Sequence, residues 1–270
     1  MTEPASWVPA LSVRSLRKSF MVGTPDERIA IDGIDLDIEP GGFYVIIGSN
    51  GAGKSTLLNI VGGRIVPDAG TIRIKGADVT STPVHRRARH VARVFQDPML
   101  GTAASMTVEE NLLLAEFRSR KRSWRRGLTP TRIACYRDRL AVLGLGLENR
   151  LGSVVGLLSG GQRQALSLIM AIGSEPDVLL LDEHTAALDP KTAAQIMKAT
   201  VACVRGFRLT ALMVTHNMQH ATDYGTGLIM MDAGRIRLLI SGQEKAALTV
   251  PDLVSKFEIP DDKILLASKL

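Results

Sequence analysis

The sequence predicts an α/β fold in which a mostly parallel sheet carries helices on both faces. Three observations lead there. Residues 43–47 form a continuous apolar run, as a strand buried on both faces does. A glycine-rich turn follows it at once and opens a helical segment. The last third of the chain then alternates apolar runs with helical stretches, the pattern of strands joined by crossover helices.

Taken in order, Leu11-Ser12-Val13-Arg14-Ser15-Leu16 alternates apolar and polar residues and reads as a strand. Residues 29–38 do the same through Ile31, Ile34, Leu36 and Ile38, broken by Gly33. Residues 54–61 are helical. Thr107 with Glu110 three positions on is a capping box for a helix over 107–114. A basic segment follows: Arg118, Arg120, Lys121, Arg122, Arg125, Arg126, Arg132, Arg137 and Arg139. Residues 97–157 read as a helical insert. Beyond it come a strand (178–181), a helix (190–204), a strand (209–214), a short helix (217–224) and a strand (228–231). There is no internal repeat and no low-complexity linker.

With 270 residues and 45% hydrophobic content the chain can bury a sizeable core, and 22% charged residues are ordinary for a folded protein. The net charge of +6 suits a nucleotide, a nucleic acid, an anionic membrane face or only a solvated surface. Cys135 and Cys203 lie far apart without metal-ligand spacing, which predicts no disulfide framework and fits a reducing compartment. No run approaches the ~18 apolar residues a membrane span needs. Residues 1–10 lack the basic-then-apolar pattern of a signal peptide.

Gly48-Ser49-Asn50-Gly51-Ala52-Gly53-Lys54-Ser55 fits the phosphate-loop pattern in full, between a strand and a helix as that pattern requires. Small residues let the backbone curl around phosphate oxygens with N–H groups inward, and the helix starts with its positive end towards them. Lys54 is expected on the β- and γ-phosphates with Thr56 on the nucleotide, and the Ser55 hydroxyl on Mg²⁺. The strand 178–181 ends in Asp182-Glu183. Asp182 is placed to hold Mg²⁺ through water, and Glu183 to polarise the attacking water.

Leu158-Ser159-Gly160-Gly161-Gln162 resembles the signature of ABC-type ATPases, and the remaining motifs follow in that family's order. Phe20 resembles the aromatic residue that stacks on adenine. Gln96 looks like the Q-loop glutamine, near both metal and water. Ala187-Leu188-Asp189 resembles the D-loop, and His216 the switch histidine that contacts the γ-phosphate. The resemblance runs over residues 11–240. It implies the ABC ATPase fold, an α/β P-loop NTPase core with a mostly parallel sheet, an antiparallel β subdomain at the N-terminus and an α-helical insert. Residues 1–270 are then one domain: 1–96 and 158–240 the ATP-binding core, 97–157 the helical subdomain, 241–270 a short C-terminal extension.

The resemblance also implies partners and ligands. Ser159 and the N–H groups of Gly160 and Gly161 open a helix to about residue 172, a second anion site. A head-to-tail dimer with a second copy of the chain would close each signature, with Gln162 and Asp189 nearby, over the other copy's ATP. Force would pass to an integral membrane permease docking on a rim at residues 97–104, with an extracytoplasmic solute-binding protein in the complex. The chain itself would lie in the cytoplasm on the inner face of the membrane. The basic run could face anionic headgroups or solvent. Residues 181–192 resemble a subgroup of importer ATPases linked to tryptophan- or tyrosine-type amino acids. His184 stands where the family's commonest pattern has Pro, near a dimer interface or as a surface substitution. An exporter's ATPase, a non-catalytic subunit and a non-transport ABC ATPase acting on nucleic acid or ribosomes remain as rivals. Nucleic acid is not expected as a partner.

Overall fold

A computed structural model describes residues 7–118 and 127–256. In chain order the elements are β1 (Leu11–Phe20), β2 (Arg28–Ile38), β3 (Phe43–Gly48), α1 (Lys54–Val61), β4 (Ala69–Ile74), β5 (Ala77–Asp78), α2 (Val84–Arg87), β6 (Val91–Val94), α3 (Val108–Glu116), α4 (Pro130–Ala141), α5 (Gly160–Ile172), β7 (Val178–Asp182), α6 (Pro190–Gly206), β8 (Thr210–Val214), α7 (Met218–Asp223), β9 (Gly227–Asp232), β10 (Arg235–Ser241), α8 (Gly242–Ala246) and α9 (Val250–Lys256).

The strands form two sheets. One is antiparallel, in the order β2-β1-β4-β5. The other runs β10-β9-β3-β8-β7-β6 and is parallel except for the edge pair β10 and β9. The expected α/β class with an N-terminal antiparallel sheet is what the chain adopts. Strands β4, β5, β6 and β10 were not distinguished in the sequence.

The alternation of a strand's side chains explains how one apolar run serves two cores. Tyr44 and Ile46 of β3 join the core facing the antiparallel sheet and α1. Phe43, Val45 and Ile47 of the same strand join the core facing α5 and α6. All five are nearly inaccessible, and each contributes about 1.5–3 kcal/mol relative to an exposed position. A third core lies among α3, α4, α5 and α6. Helix α5 feeds two cores, through Leu168, Ala171 and Ile172 on one side and Ala165, Leu166, Ile169 and Met170 on the other. Its capping box fixes where it starts: the Gln162 amide donates to Ser159 Oγ at 3.2 Å, and the Ser159 amide to Gln162 Oε1 at 3.3 Å.

Arg87 is 1% exposed and closes the far end of α1. Its guanidinium donates to the Ile60 carbonyl at 2.7 Å and to the Thr80 carbonyl at 3.0 Å, and also to Val79. A cation at a helix C-terminus opposes the dipole's negative end. The antiparallel sheet is thereby tied to the helix that begins at Lys54.

Among the described residues no helix is long and apolar enough to cross a membrane, and Cys135 and Cys203 are free thiols. Of the basic run, residues 119–126 lie outside the described part. Residues 250–256 form a short helix within the C-terminal extension, with Thr249 Oγ1 accepting from the Asp252 amide at 3.4 Å.

Candidate nucleotide site

The carboxyl ends of β3, β7 and β8 lie side by side, the edge at which open parallel sheets bind ligands. The loop after β3 wraps into the N-terminus of α1. Gly53 has φ +98°, and a Cβ there would stand 2.4 Å from the Ala30 carbonyl, so only glycine fits. Lys54 is 5% exposed, and its ammonium donates to the Gly48 and Ser49 carbonyls at 2.7 Å each. The loop thus holds a desolvated positive charge at its mouth.

A cavity of about 280 Å³ opens on this loop. Its lining includes Phe20, Arg28, Lys54, Ser55, Glu183 and His216, with Asn50, Gly51, Gly53 and Thr56 completing the loop side. Residues separated by almost 200 positions in the sequence therefore meet there. His216 Nε2 lies 2.6 Å from Glu183 Oε1. Glu183 adopts φ +45°, a left-handed conformation that costs a non-glycine residue about 1–3 kcal/mol. Its amide donates to the Val214 carbonyl at 3.1 Å, which locks the strained turn to β8, two residues ahead of His216.

Other expected residues stand apart from this cavity. Gln96 is exposed just past β6, beyond the lining. Asp182 ends β7 and pairs with Arg93, whose guanidinium also donates to Asn59 Oδ1 at 2.6 Å. Ser159, Gly160, Gly161 and Gln162 lie at the start of α5, outside the lining. Asp189 caps α6, accepting from the Thr192 amide at 3.0 Å, and hydrogen bonds from the Thr192 side chain and amide hold its carboxyl below the usual carboxylate range. Gly161 has a packing reason to be glycine: a Cβ there would stand 2.2 Å from Thr192 Cγ2. The signature turn therefore lies directly against the start of α6.

His184 corrects an expectation. It is no surface substitution but 2% exposed, with Nε2 3.0 Å from Thr200 Oγ1 on α6. Burial pushes its pKa down to about 4, helped by His220 nearby. Sequence reasoning also missed Arg28. It pairs in register with Phe20 across β1 and β2, and its guanidinium donates to the Gly51 carbonyl at 3.2 Å. The alternation of 11–16 and 29–38 marks two strands, but no local pattern marks an arginine where they meet.

A phosphate loop, a buried lysine on it, and a carboxylate–imidazole pair across one cavity define a nucleotide-binding α/β protein. The ABC transporter family model matches residues 31–186, more than half of the chain. The tyrosine transport ATP-binding protein of Clostridioides difficile is 44% identical over 255 residues, covering 92% of this chain and 98% of that protein. The lipoprotein-releasing system ATP-binding protein LolD of Ruegeria pomeroyi is 36% identical, covering 79% and 91%. Among solved structures, cbiO1 of Clostridium perfringens, part of an ABC transporter complex, superposes with a TM-score of 0.74 at 27% identity, covering 92% and 94%. An ATP-binding cassette solved as a dimer in a post-hydrolysis state with ADP and Pi gives 0.73 at 25% identity, covering 86% and 98%. The chain belongs to the ABC transporter family, as its ATP-hydrolysing subunit.

Proposed function

We propose that the cavity binds ATP with adenine on Phe20 and the triphosphate in the loop from Gly48 to Thr56, and that two copies of the chain close over two ATP molecules to drive import of an amino acid through a separate permease. One observation carries the reading: the lysine loop, the aromatic edge and the Glu183–His216 pair line a single cavity. Phe20 is 38% exposed, so a flat face remains for a base. Lys54 and the N-terminus of α1 meet the phosphates with positive charge.

Glu183 accepts a proton from the attacking water. His216, hydrogen-bonded to it, holds the carboxylate in place and reaches the γ-phosphate. The strained turn at Glu183 favours that role, because strained backbone persists where the surroundings hold it. Mg²⁺ fits the donors present. The Ser55 hydroxyl and the Asp182 carboxylate are hard oxygen ligands, and Gln96 is close enough in sequence to β6 to reach the same edge. When bound, the ion neutralises charge on the phosphates.

Ser159 with Gly160, Gly161 and Gln162 lies outside its own chain's cavity at a helix N-terminus, an anion site in want of a phosphate. A second copy supplies that phosphate, with Asp189 beside the junction. The solved dimer of a related cassette is support by analogy. Permease docking is favoured at the 3₁₀ turn Pro98–Gly101, where Met99 and Leu100 are 41% and 65% exposed. Import of a tyrosine-like solute, delivered by an extracytoplasmic binding protein, rests on the name of the 44% identical relative. Such a chain works on the inner face of the membrane.

The test is Glu183→Gln, which keeps shape and removes the base. ATP binding is expected to persist while turnover falls by about 10²–10⁴, and an ATP-dependent dimer should accumulate on a sizing column. Full-rate hydrolysis by this variant would remove Glu183 from the role.

A further inference from the structure

Arg93 is not part of any motif read above, yet it is tied to the carboxylate proposed to hold the metal. It sits on β6, beside β7, and its guanidinium pairs with Asp182. Both side chains are largely buried, at 11% and 16% exposure. The same guanidinium is anchored by Asn59 Oδ1 at 2.6 Å and lies 4.9 Å from the Phe95 ring centroid. Asn59 follows Ser55 by four residues on α1, so the two share a helix face. The cation is therefore fixed under the metal edge from three elements: α1, β7 and the segment leading into Gln96.

We infer that Arg93 is a positioning residue that occupies Asp182 in the nucleotide-free chain and makes metal binding conditional on ATP. This rests on the reading of Asp182 as the metal carboxylate. The effect is electrostatic. A fixed cation on a partly buried carboxylate disfavours a second cation at the same oxygens, because charges interact strongly where water is scarce. The same cation cancels a negative charge that would otherwise repel an incoming triphosphate. Arg93 thus favours metal-free ATP and opposes metal without ATP. A divalent ion arriving on the nucleotide brings its own phosphate ligands and competes on better terms. The planar guanidinium, held by Asn59 and the Phe95 ring, has a defined resting place beside the carboxylate while the ion is absent.

Two titrations on the full chain test this. The first follows Mn²⁺ binding without nucleotide by electron paramagnetic resonance. The second follows a fluorescent ATP analogue in excess EDTA. In Arg93→Gln, Mn²⁺ should bind about tenfold more tightly than to the wild type, and the metal-free analogue about tenfold more weakly. Arg93→Lys, which keeps the charge, should return both values towards wild type; a merely structural arginine would give no such opposed pair. If Arg93→Gln does not fold, Arg93→Met carries the same test with the packing on Phe95 kept. Folded variants with unchanged Mn²⁺ affinity, or with both ligands weakened together, overturn the proposal. Asp182→Asn separates it from the reading beneath it. Wild-type metal dependence in Asp182→Asn sinks the metal role of Asp182. Lost metal dependence there, with Arg93→Gln unchanged, sinks only the role of Arg93.

Discussion

Taking the protein from pH 7.5 to 5.0 should remove about 2 kcal/mol of stability that a His184→Gln chain retains. His184 is buried, hydrogen-bonded to Thr200, and neutral, with its pKa pushed from 6.5 down to about 4. The unfolded chain gains a proton below pH 6.5 that the folded chain refuses until near pH 4. The stabilising contribution is thus fully present above pH 6.5 and is lost as pH falls through that window. Each pH unit within it is worth about 1.4 kcal/mol, so 1.5 units give about 2 kcal/mol at pH 5.0. His220, half-buried with its pKa also lowered by burial, adds loss of the same sign in both chains. Glutamine keeps a hydrogen-bonding amide near Thr200 and cannot titrate. The assay is urea unfolding of both chains at pH 7.5 and 5.0, compared as a difference of differences. Equal losses in the two chains would refute the argument.

Two further expectations follow from contacts already described. Phe20→Ala should weaken ATP binding by about 1–3 kcal/mol if the ring carries the base, read by titration of a fluorescent ATP analogue, while thermal stability changes little at this half-exposed position. Gly161→Ala should destabilise the fold by about 1–3 kcal/mol, because the new methyl meets Thr192 Cγ2 at 2.2 Å; thermal unfolding checks this, and Gly161→Ala with Thr192→Ser should recover part of the loss.

The legible parts of the fold were those with strong local signals. Residues 43–47 and 178–181 are uninterrupted apolar runs, and burial on both faces of a parallel sheet is why. The capping box of Thr107 with Glu110 stands where the pattern placed it, and the helix that Ser159 opens runs to Ile172 as expected. Strand β10 is hard to read because it is an edge strand with mostly exposed or half-exposed side chains, and the exposed Leu239 interrupts the apolar–polar alternation of its sequence. In the site, the phosphate loop is a contiguous string and so reads directly. Arg93 and Asp182 are 89 residues apart and meet only because β6 lies beside β7. Arg28 depends in the same way on the hairpin register with Phe20. His184 could not be placed from sequence, since its burial depends on α6 lying over the turn after β7 and bringing Thr200 to it.

Completion of each site by a second copy is tested most directly by mixing two inactive chains. Lys54→Ala removes the phosphate lysine, and Gly160→Asp puts a negative charge at the signature, where a Cβ meets nothing nearer than Leu188 Cδ2 at 3.7 Å. In a head-to-tail pair of one of each, one site carries both faults and the other carries neither. Mixing should then restore ATP hydrolysis, to at most about a quarter of the wild-type rate for random two-fold pairing. If each chain is folded and mixing restores none, the signature does not act across the dimer.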